Sequence, residues 1–253
     1  MVPSLELAAA LAAAEAAARV IRAHYQKGVA VTLKADESPV TAADVAAEQA
    51  IHAVLAERFP AHAFLGEETG RSGRGASLWL VDPIDGTKAF VREYPMFSTQ
   101  IALMRGAELV LGVSNAPLYG ELAWAERGAG AWLNDRPLRV SAIDRIEQAA
   151  VSAGNLRTLA IGPRWARYGA LVARLGRIRG YGDFLHYHLL AAGKIDAVLE
   201  SDVGILDIAA LVTIVEEAGG RCTDLDGGPI GLATTTVLAS NGVLHDALLE
   251  ALR

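Results

Sequence analysis

The sequence Asp-Pro-Ile-Asp-Gly-Thr places two carboxylates at the end of a predicted strand, where they could bind a metal ion. Asp82 closes an apolar run, Asp85 follows three residues later, and Pro83 fixes the backbone between them. Hard cations such as Mg²⁺ take oxygen ligands of this kind. Gly86 and Thr87 come next, at a predicted helix start whose amides could hold a phosphate group. The pair alone is weak evidence, because most Asp-x-x-Asp pairs form turns or remain solvated.

Further acidic positions strengthen the case for a metal site. Glu67 and Glu68 end a short apolar strand. Asp207 lies within an apolar stretch, where an unpaired carboxylate would be unfavourable; alternatively, it caps a helix that begins there. Asp44 follows Thr41 by three residues and could be no more than its capping-box partner. The residues alone leave these alternatives open.

Taken in this order, the motifs resemble the inositol monophosphatase family. The matching positions are Glu67-Glu68, Asp82 to Thr87, Asp207 with Ala209 and Ala210, Glu217 to Gly220 and, upstream, Lys34, Thr41 and Asp44. The family comprises metal-dependent, lithium-sensitive phosphomonoesterases, so the resemblance implies a phosphoric monoester hydrolase. It also implies an α+β fold, a layered α-β-α-β-α sandwich of the inositol monophosphatase and fructose-1,6-bisphosphatase type, and a homodimer. The sequence departs from the family at Leu206, where a tryptophan is usual.

The resemblance implies a set of metal ligands. Glu67, Asp82 and the main-chain carbonyl of Ile84 would hold one Mg²⁺. Asp82, Asp85 and Asp207 would hold a second, so that Asp82 bridges the two ions. The charges agree independently, because these four carboxylates carry four negative charges that two Mg²⁺ ions neutralise, and a phosphate dianion can then enter. A third, weaker ion could join on the Glu67 side. The metals would lower the pKa of the attacking water and stabilise the leaving oxygen.

The resemblance also assigns residues to catalysis and to the substrate. Glu67 and Thr87, the latter supported by Asp44, would orient the attacking water. The amides of Gly86 and Thr87 would receive the phosphate, and Glu200 matches a position that contacts substrate hydroxyl groups. The residues that border the substrate would then be Asp85, Gly86, Thr87, Asp183, Glu200 and Asp207. The chain lacks a Gly-x-Ser-x-Gly motif, which fits a mechanism that needs no serine nucleophile.

Asp183 bears on the choice of substrate. It follows a glycine, as an acidic residue does in the histidinol-phosphate phosphatases of this family, and its carboxylate would suit the ammonium group of histidinol phosphate. Alternatively, Asp183 caps the helix that starts there. Histidinol phosphate is the expected substrate, with inositol 1-phosphate, fructose 1,6-bisphosphate and 3′(2′),5′-bisphosphate nucleotides as alternatives. A non-catalytic phosphate-binding or interaction protein is the alternative of a different class. His186 and His188 are expected to be core or solvated histidines rather than metal ligands.

Composition excludes several classes of protein. The 253-residue chain is 52% hydrophobic and 21% charged, which excludes a disordered chain, collagen-like repeats and a coiled coil. Its net charge of −6 disfavours nucleic-acid binding. We expect no contact with membranes, since no apolar segment is long enough to cross a bilayer, and the N-terminus lacks the basic region of a secretory signal. The single cysteine, Cys222, fits a buried thiol in a cytoplasmic protein.

The elements that must position these residues alternate between helix and strand. Apolar periodicity and capping signals predict a first helix from Ser4 to Lys27-Gly28, a second from Thr41 to Pro60, and a terminal helix over 244–252. Short strands are predicted over 29–33, 64–65 and 78–81, a turn over 36–39, a mobile glycine-rich loop over 70–75, and an antiparallel meander over 98–140. We expect an N-terminal α+β half, residues 1–145, and a C-terminal α/β half, residues 146–253, packed tightly as one functional unit.

Overall fold

The computed structural model describes residues 3–26, 31–33 and 39–253. Lys27, Gly28, Lys34 and most of the predicted turn over 36–39 lie outside the described residues. The helices are α1 (Leu5–His24), α2 (Ala42–Arg58), α3 (Thr87–Val91), α4 (Arg157–Ile161), α5 (Trp165–Val172), α6 (Asp183–Ala191), α7 (Ile205–Glu217) and α8 (His245–Leu252). The strands are β1 (Val31–Leu33), β2 (Pro39–Thr41), β3 (Ala63–Gly66), β4 (Gly70–Ser72), β5 (Ser77–Asp85), β6 (Ser98–Arg105), β7 (Glu108–Ala116), β8 (Glu121–Glu126), β9 (Gly130–Leu133), β10 (Arg136–Pro137), β11 (Ala150–Gly154), β12 (Arg177–Arg179), β13 (Ala197–Ser201), β14 (Arg221–Thr223) and β15 (Thr236–Ser240).

Most of these strands form two sheets. In the larger sheet the order is β10-β9-β8-β7-β6-β5-β3-β4, and neighbouring strands are antiparallel except for β3 and β5. Its strands from β6 to β10 form the antiparallel meander predicted over 98–140. In the smaller sheet the order is β12-β11-β13-β15-β14, and β1 and β2 pair separately. The larger sheet therefore uses strands from residues 63–137, and the smaller sheet uses strands from residues 150–240.

The sheets and helices stack in five layers. Helices α1 and α2 pack together on one face of the larger sheet. Helices α6 and α7 lie between the two sheets, and α4, α5 and α8 cover the outer face of the smaller sheet. An apolar core fills each space between a sheet and its helices. These layers confirm the predicted α-β-α-β-α sandwich.

Strand β5, which carries the two central aspartates, lies in the middle of this arrangement. Its side chains alternate, so that Trp79 and Val81 enter the core beneath α1 and α2 whereas Leu78 and Leu80 enter the core beneath α7. Because both faces are buried, the strand is apolar almost throughout. The site is therefore built on one of the most constrained segments of the molecule.

The predicted local signals at the helix starts are present. Ser4 caps α1 by accepting a hydrogen bond from the Leu7 amide, 3.0 Å away. Thr41 caps α2, and Asp44 completes the capping box. Helix α1 ends at His24, earlier than the predicted end at Lys27. None of the helices in the described ranges is long and apolar enough to cross a membrane.

Two local predictions are wrong. The segment 70–72, predicted as the start of a loop, forms β4, which folds back on β3 so that Gly66 lies opposite Gly70. An edge strand of three residues has no apolar alternation from which it could be predicted. In addition, β5 does not end at Asp82 but continues to Asp85, because a register shift against β6 accommodates Pro83, which has no amide proton for the ladder.

Candidate metal centre and active site

The end of β5 is held in one conformation by its own hydrogen bonds. The Ile84 amide donates to Asp82 Oδ1 at 2.9 Å, and the Thr99 hydroxyl donates to the Pro83 carbonyl at 2.8 Å. Gly86 has a left-handed φ of 92°, and a Cβ there would lie 2.6 Å from the Met96 carbonyl oxygen. Only glycine fits this position, so the local sequence fixes the path of the chain from the aspartates to α3.

Three carboxylates meet at this strand end. Asp82, Asp85 and Asp207 each offer one oxygen atom, and these atoms all lie within 4.8 Å of one another. Asp207 belongs to the first turn of α7, where its Oδ2 accepts a hydrogen bond from the Gly204 amide at 2.7 Å. Asp207 therefore completes a capping box as the third residue of α7, with the N-cap at Gly204, and its carboxylate also lies in the cluster.

The three carboxylates disfavour one another's charged forms. Burial raises the pKa of Asp82 well above its usual range, and the charges of Glu67, Asp85 and Asp207 raise it further. Burial also raises the pKa of Asp85 well above its usual range. The pKa of Asp207 rises to about 6, mainly through burial, although the Gly204 amide opposes the shift. A divalent cation would relieve this repulsion, and carboxylate oxygens are the ligands that Mg²⁺ prefers. The donor set therefore fits Mg²⁺.

Glu67 lies beside this cluster, on the turn that follows β3. Its amide donates to the Val81 carbonyl at 3.1 Å, which ties the turn to β5 one residue before Asp82. The Glu67 side chain is exposed and hydrogen-bonds with Asp82. Asp82 thus hydrogen-bonds with Glu67 and has an oxygen within 4.8 Å of those of Asp85 and Asp207, the position that a bridging ligand would need.

Asp44 and Thr87 are brought together from different parts of the chain. The Asp44 side chain is buried, and its Oδ2 accepts hydrogen bonds from the Thr41 amide at 2.8 Å and the Thr41 hydroxyl at 2.6 Å. Its Oδ1 lies 3.2 Å from Thr87 Oγ1, which is also 3.0 Å from the Ile84 carbonyl. Burial raises the pKa of Asp44, and these hydrogen bonds oppose the shift. Asp44 is therefore both a capping-box residue and a partner of Thr87.

A cavity of about 350 Å³ opens over these groups. Its wall includes the predicted residues Glu67, Asp82, Ile84, Asp85, Gly86, Thr87, Asp183 and Asp207. It also includes Lys88, Arg92, Tyr94 and Asn155, which the sequence analysis missed. Lys88 and Arg92 are exposed and bring positive charge to the rim. Exposed cations near a short helix have no distinctive spacing, so no sequence signal could have identified them.

Asp183 and Glu200 line a side pocket of about 30 Å³, which shares Asp85, Asn155, Asp183 and Asp207 with the wall of this cavity. Glu200 is buried, and its Oε2 accepts a hydrogen bond from the Tyr187 hydroxyl at 2.9 Å and lies 3.1 Å from His186 Nε2. Asp183 is the first residue of α6, but the N-cap position belongs to Gly182. Burial and the charge of Glu200 raise the pKa of Asp183, whereas His186 opposes the shift.

Comparison with known proteins shows to which family the chain belongs. Residues 4–253 match the model of the inositol monophosphatase family. The chain belongs to this family. The family and the relatives of this chain are named as phosphatases. The predicted class, a phosphoric monoester hydrolase, is therefore confirmed.

Three relatives illustrate the family match. A histidinol-phosphatase from Mycobacterium tuberculosis is 39% identical over 98% of this chain and 97% of its own length. An inositol-1-monophosphatase from Mesorhizobium japonicum is 36% identical over 88% of this chain and 86% of its own length. Among solved structures, the extragenic suppressor protein suhB from Bartonella henselae superposes with a TM-score of 0.91 at 33% identity, and the match covers 99% of both chains.

Other positions singled out in the sequence are core positions of this inositol monophosphatase fold. His188 is buried, with Nδ1 2.8 Å from Glu121 and Nε2 2.9 Å from Ser114 Oγ. Leu206, where the family usually has tryptophan, is half-buried and packs against the core between the sheets. Cys222 is a buried free thiol, and burial raises its pKa well above the usual range, as expected for a structural cysteine.

Proposed function

We propose that this phosphatase depends on Mg²⁺ and that its substrate is histidinol phosphate. The observation that carries the metal dependence is the approach of the Asp82, Asp85 and Asp207 oxygens to within 4.8 Å of one another. Asp82 would be shared by two ions, with Glu67 and the Ile84 carbonyl completing the first site and the other two aspartates completing the second. When bound, Mg²⁺ stabilises the phosphate oxygens as a Lewis acid and lowers the pKa of a water molecule.

The groups of the chain itself would position the reactants. The Thr87 hydroxyl has one proton, and both Asp44 and the Ile84 carbonyl lie within its reach. When Thr87 donates to Asp44, its oxygen is left to accept a hydrogen bond from the attacking water. Glu67 accepts the second hydrogen bond of that water. The amides of Gly86 and Thr87, in the cavity wall, receive the phosphate.

The choice of substrate is supported by the charge of the side pocket. Asp183 and Glu200 line it together with Asp85 and Asp207. A substrate ammonium group would favour the charged form of Asp183, whose pKa is raised mainly by burial and further by the charge of Glu200. The Mycobacterium tuberculosis relative is named a histidinol-phosphatase, which supports the same choice.

Inositol 1-phosphate is the second candidate. The buried Glu200 carboxylate could accept hydrogen bonds from substrate hydroxyl groups, and the Mesorhizobium japonicum relative is named an inositol-1-monophosphatase. Asp183 distinguishes the candidates, because the inositol ester has no ammonium group for it to bind.

The test is a comparison of kcat/KM for four esters in Mg²⁺ and in EDTA. The esters are histidinol phosphate, inositol 1-phosphate, fructose 1,6-bisphosphate and adenosine 3′,5′-bisphosphate. The proposal expects turnover only with Mg²⁺ and the highest kcat/KM for histidinol phosphate. Preference for inositol 1-phosphate would favour the second candidate, and a lack of turnover with every ester would overturn the choice of histidinol phosphate.

Further properties belong to the same proposal. The family resemblance supports inhibition by Li⁺, which the Mg²⁺ assay can test directly. It also supports a homodimer, for which light scattering gives the mass in solution. A cytoplasmic location is consistent with the buried Cys222 thiol and can be tested by cell fractionation.

A further inference from the structure

Glu48 is a buried carboxylate on an otherwise apolar face of α2. It is 1% exposed, and it lies one helical turn after Asp44 among Ala47, Ile51 and Leu55. A charged group in such a position strongly destabilises a protein unless hydrogen bonds satisfy it. The direction in which these hydrogen bonds point therefore indicates what Glu48 does.

All the hydrogen bonds that Glu48 accepts in the described structure come from the turn that carries Glu67. Glu48 Oε2 accepts from the Glu68 amide at 2.8 Å. Its Oε1 accepts from the Thr69 amide at 2.9 Å and from the Thr69 hydroxyl at 2.5 Å. Hydrogen bonds to an ionised acceptor are about twice as strong as neutral ones. Glu48 thus binds both amides that directly follow Glu67.

Gly66 makes this approach possible. A Cβ at that position would lie 2.5 Å from the Glu48 carboxylate. The glycine before Glu67 therefore leaves room for a carboxylate beneath the turn, an arrangement that a merely solvated turn would not require.

We propose that Glu48 is a positioning residue that holds Glu67 toward the metal site. The inference rests on the proposed function, in which Glu67 is a metal ligand and orients the attacking water. Asp44, one turn earlier on the same helix face, accepts a hydrogen bond of 3.2 Å from the Thr87 hydroxyl. Helix α2 thereby fixes both segments that bring groups to the reacting water, and it does so with two buried carboxylates.

The test compares Glu48→Gln with Glu57→Gln, a matched change at an exposed position of the same helix. Glutamine has one acceptor oxygen and one NH₂ group. In either orientation of the Glu48→Gln side chain, the NH₂ group lies against a main-chain N–H and cannot accept a hydrogen bond from it. Misplacement by about 1 Å costs on the order of 100-fold in rate, so we expect kcat to fall about 10- to 100-fold. The Mg²⁺ concentration that produces half of the maximal rise in Tm, here called the Mg²⁺ midpoint, should increase several-fold. The KM for substrate at saturating Mg²⁺ should change little, and Glu57→Gln should match the wild type in every measurement.

A double-mutant cycle with Glu67→Gln shows whether Glu48 acts through Glu67. If it does, adding Glu48→Gln to Glu67→Gln lowers kcat and Mg²⁺ affinity little further. Multiplicative effects would overturn the inference, as would a Glu48→Gln protein that has lost stability but keeps the wild-type kcat and Mg²⁺ midpoint. If Glu67→Gln itself leaves both values unchanged, the proposed role of Glu67 fails instead.

Thr69→Val provides a milder variant in case Glu48→Gln does not fold. It removes one of the three hydrogen bonds and keeps the carboxylate in place. The expected change is a shift of about 2- to 5-fold in the Mg²⁺ midpoint and in kcat, in the same directions. Wild-type values for both would count against the role of Glu48.

Discussion

Replacement of Asp82 by asparagine should change stability and activity in opposite directions. The substitution keeps the shape of the side chain and an oxygen that can accept a hydrogen bond from the Ile84 amide. It removes the negative charge that Asp82 places beside Glu67, Asp85 and Asp207. Without metal, that charge is unfavourable, because its neighbours repel it and burial raises its pKa. With metal, the same charge is the shared ligand of the proposed site.

The size of the effect follows from the separation of the carboxylates. At 4.8 Å, two unit charges repel by about 3.5 kcal/mol when the effective dielectric constant is about 20. Uptake of a proton by the cluster limits this repulsion, so we expect metal-free Asp82→Asn to be about 1–3 kcal/mol more stable than the metal-free wild type. Mg²⁺ at about 100 times its dissociation constant should stabilise the wild type by about 2.7 kcal/mol. At about 2–4 °C per kcal/mol, its Tm should rise by roughly 5–11 °C.

The assay is thermal unfolding followed by circular dichroism, in EDTA and in saturating Mg²⁺, together with turnover of histidinol phosphate. We expect Asp82→Asn to melt above the wild type in EDTA, to gain little from Mg²⁺, and to lose at least about 10³-fold in kcat, which corresponds to about 4 kcal/mol. Asp144→Asn, an exposed change of the same chemistry, should behave as the wild type. A variant less stable than the wild type in EDTA, with an undiminished response to Mg²⁺, would refute the reasoning, and near-normal turnover would refute the shared ligand.

Other predictions concern the substrate, the attacking water and the pH dependence of stability. Asp183→Asn should lower kcat/KM for histidinol phosphate roughly 30-fold or more, the equivalent of about 2–5 kcal/mol, but should barely affect glycerol 2-phosphate, which has no ammonium group; an unchanged ratio of the two values would exclude the ion pair. Thr87→Val should lower kcat by about 10²- to 10⁴-fold while the Mg²⁺-induced rise in Tm is kept, and loss of both would mean that Thr87 serves metal binding instead. Burial lowers the pKa of His245 to about 4, whereas the pKa of a histidine in the unfolded chain is about 6.5. The folded protein holds the ring neutral, so the contribution of His245 to stability is complete above a pH of about 6.5 and is lost as the pH falls toward 4. Urea unfolding at pH 7 and pH 5 should show a loss of about 2 kcal/mol from this group that is missing in His245→Gln, and an equal pH dependence of both proteins would contradict the shift.

The sequence was sufficient for features that the chain forms with its near neighbours. The capping box of Thr41 and Asp44 and the cap that Ser4 forms on α1 each depend on residues within a few positions. Their physical causes are local hydrogen bonds and backbone sterics, which the order of residues determines directly. The apolar periodicity of the helices and the turns of the meander likewise predicted those elements, whereas their stacking in α-β-α-β-α layers was implied by the family resemblance. The edge strand β4 could not be predicted, because only its pairing with β3 makes it a strand.

The candidate site depended on the tertiary structure. Asp207 meets Asp82 and Asp85 because α7 packs beneath the larger sheet, and no local signal shows whether a helix-capping aspartate also faces another carboxylate. The position of Asp183 in the cavity, with the N-cap left to Gly182, likewise followed only from the path of the chain. Glu48 has a recognisable spacing from Asp44, but a buried carboxylate acquires a role only when its acceptors meet particular donors. Those donors belong to a turn about 20 residues away, and the packing of α2 against β5 brings them together.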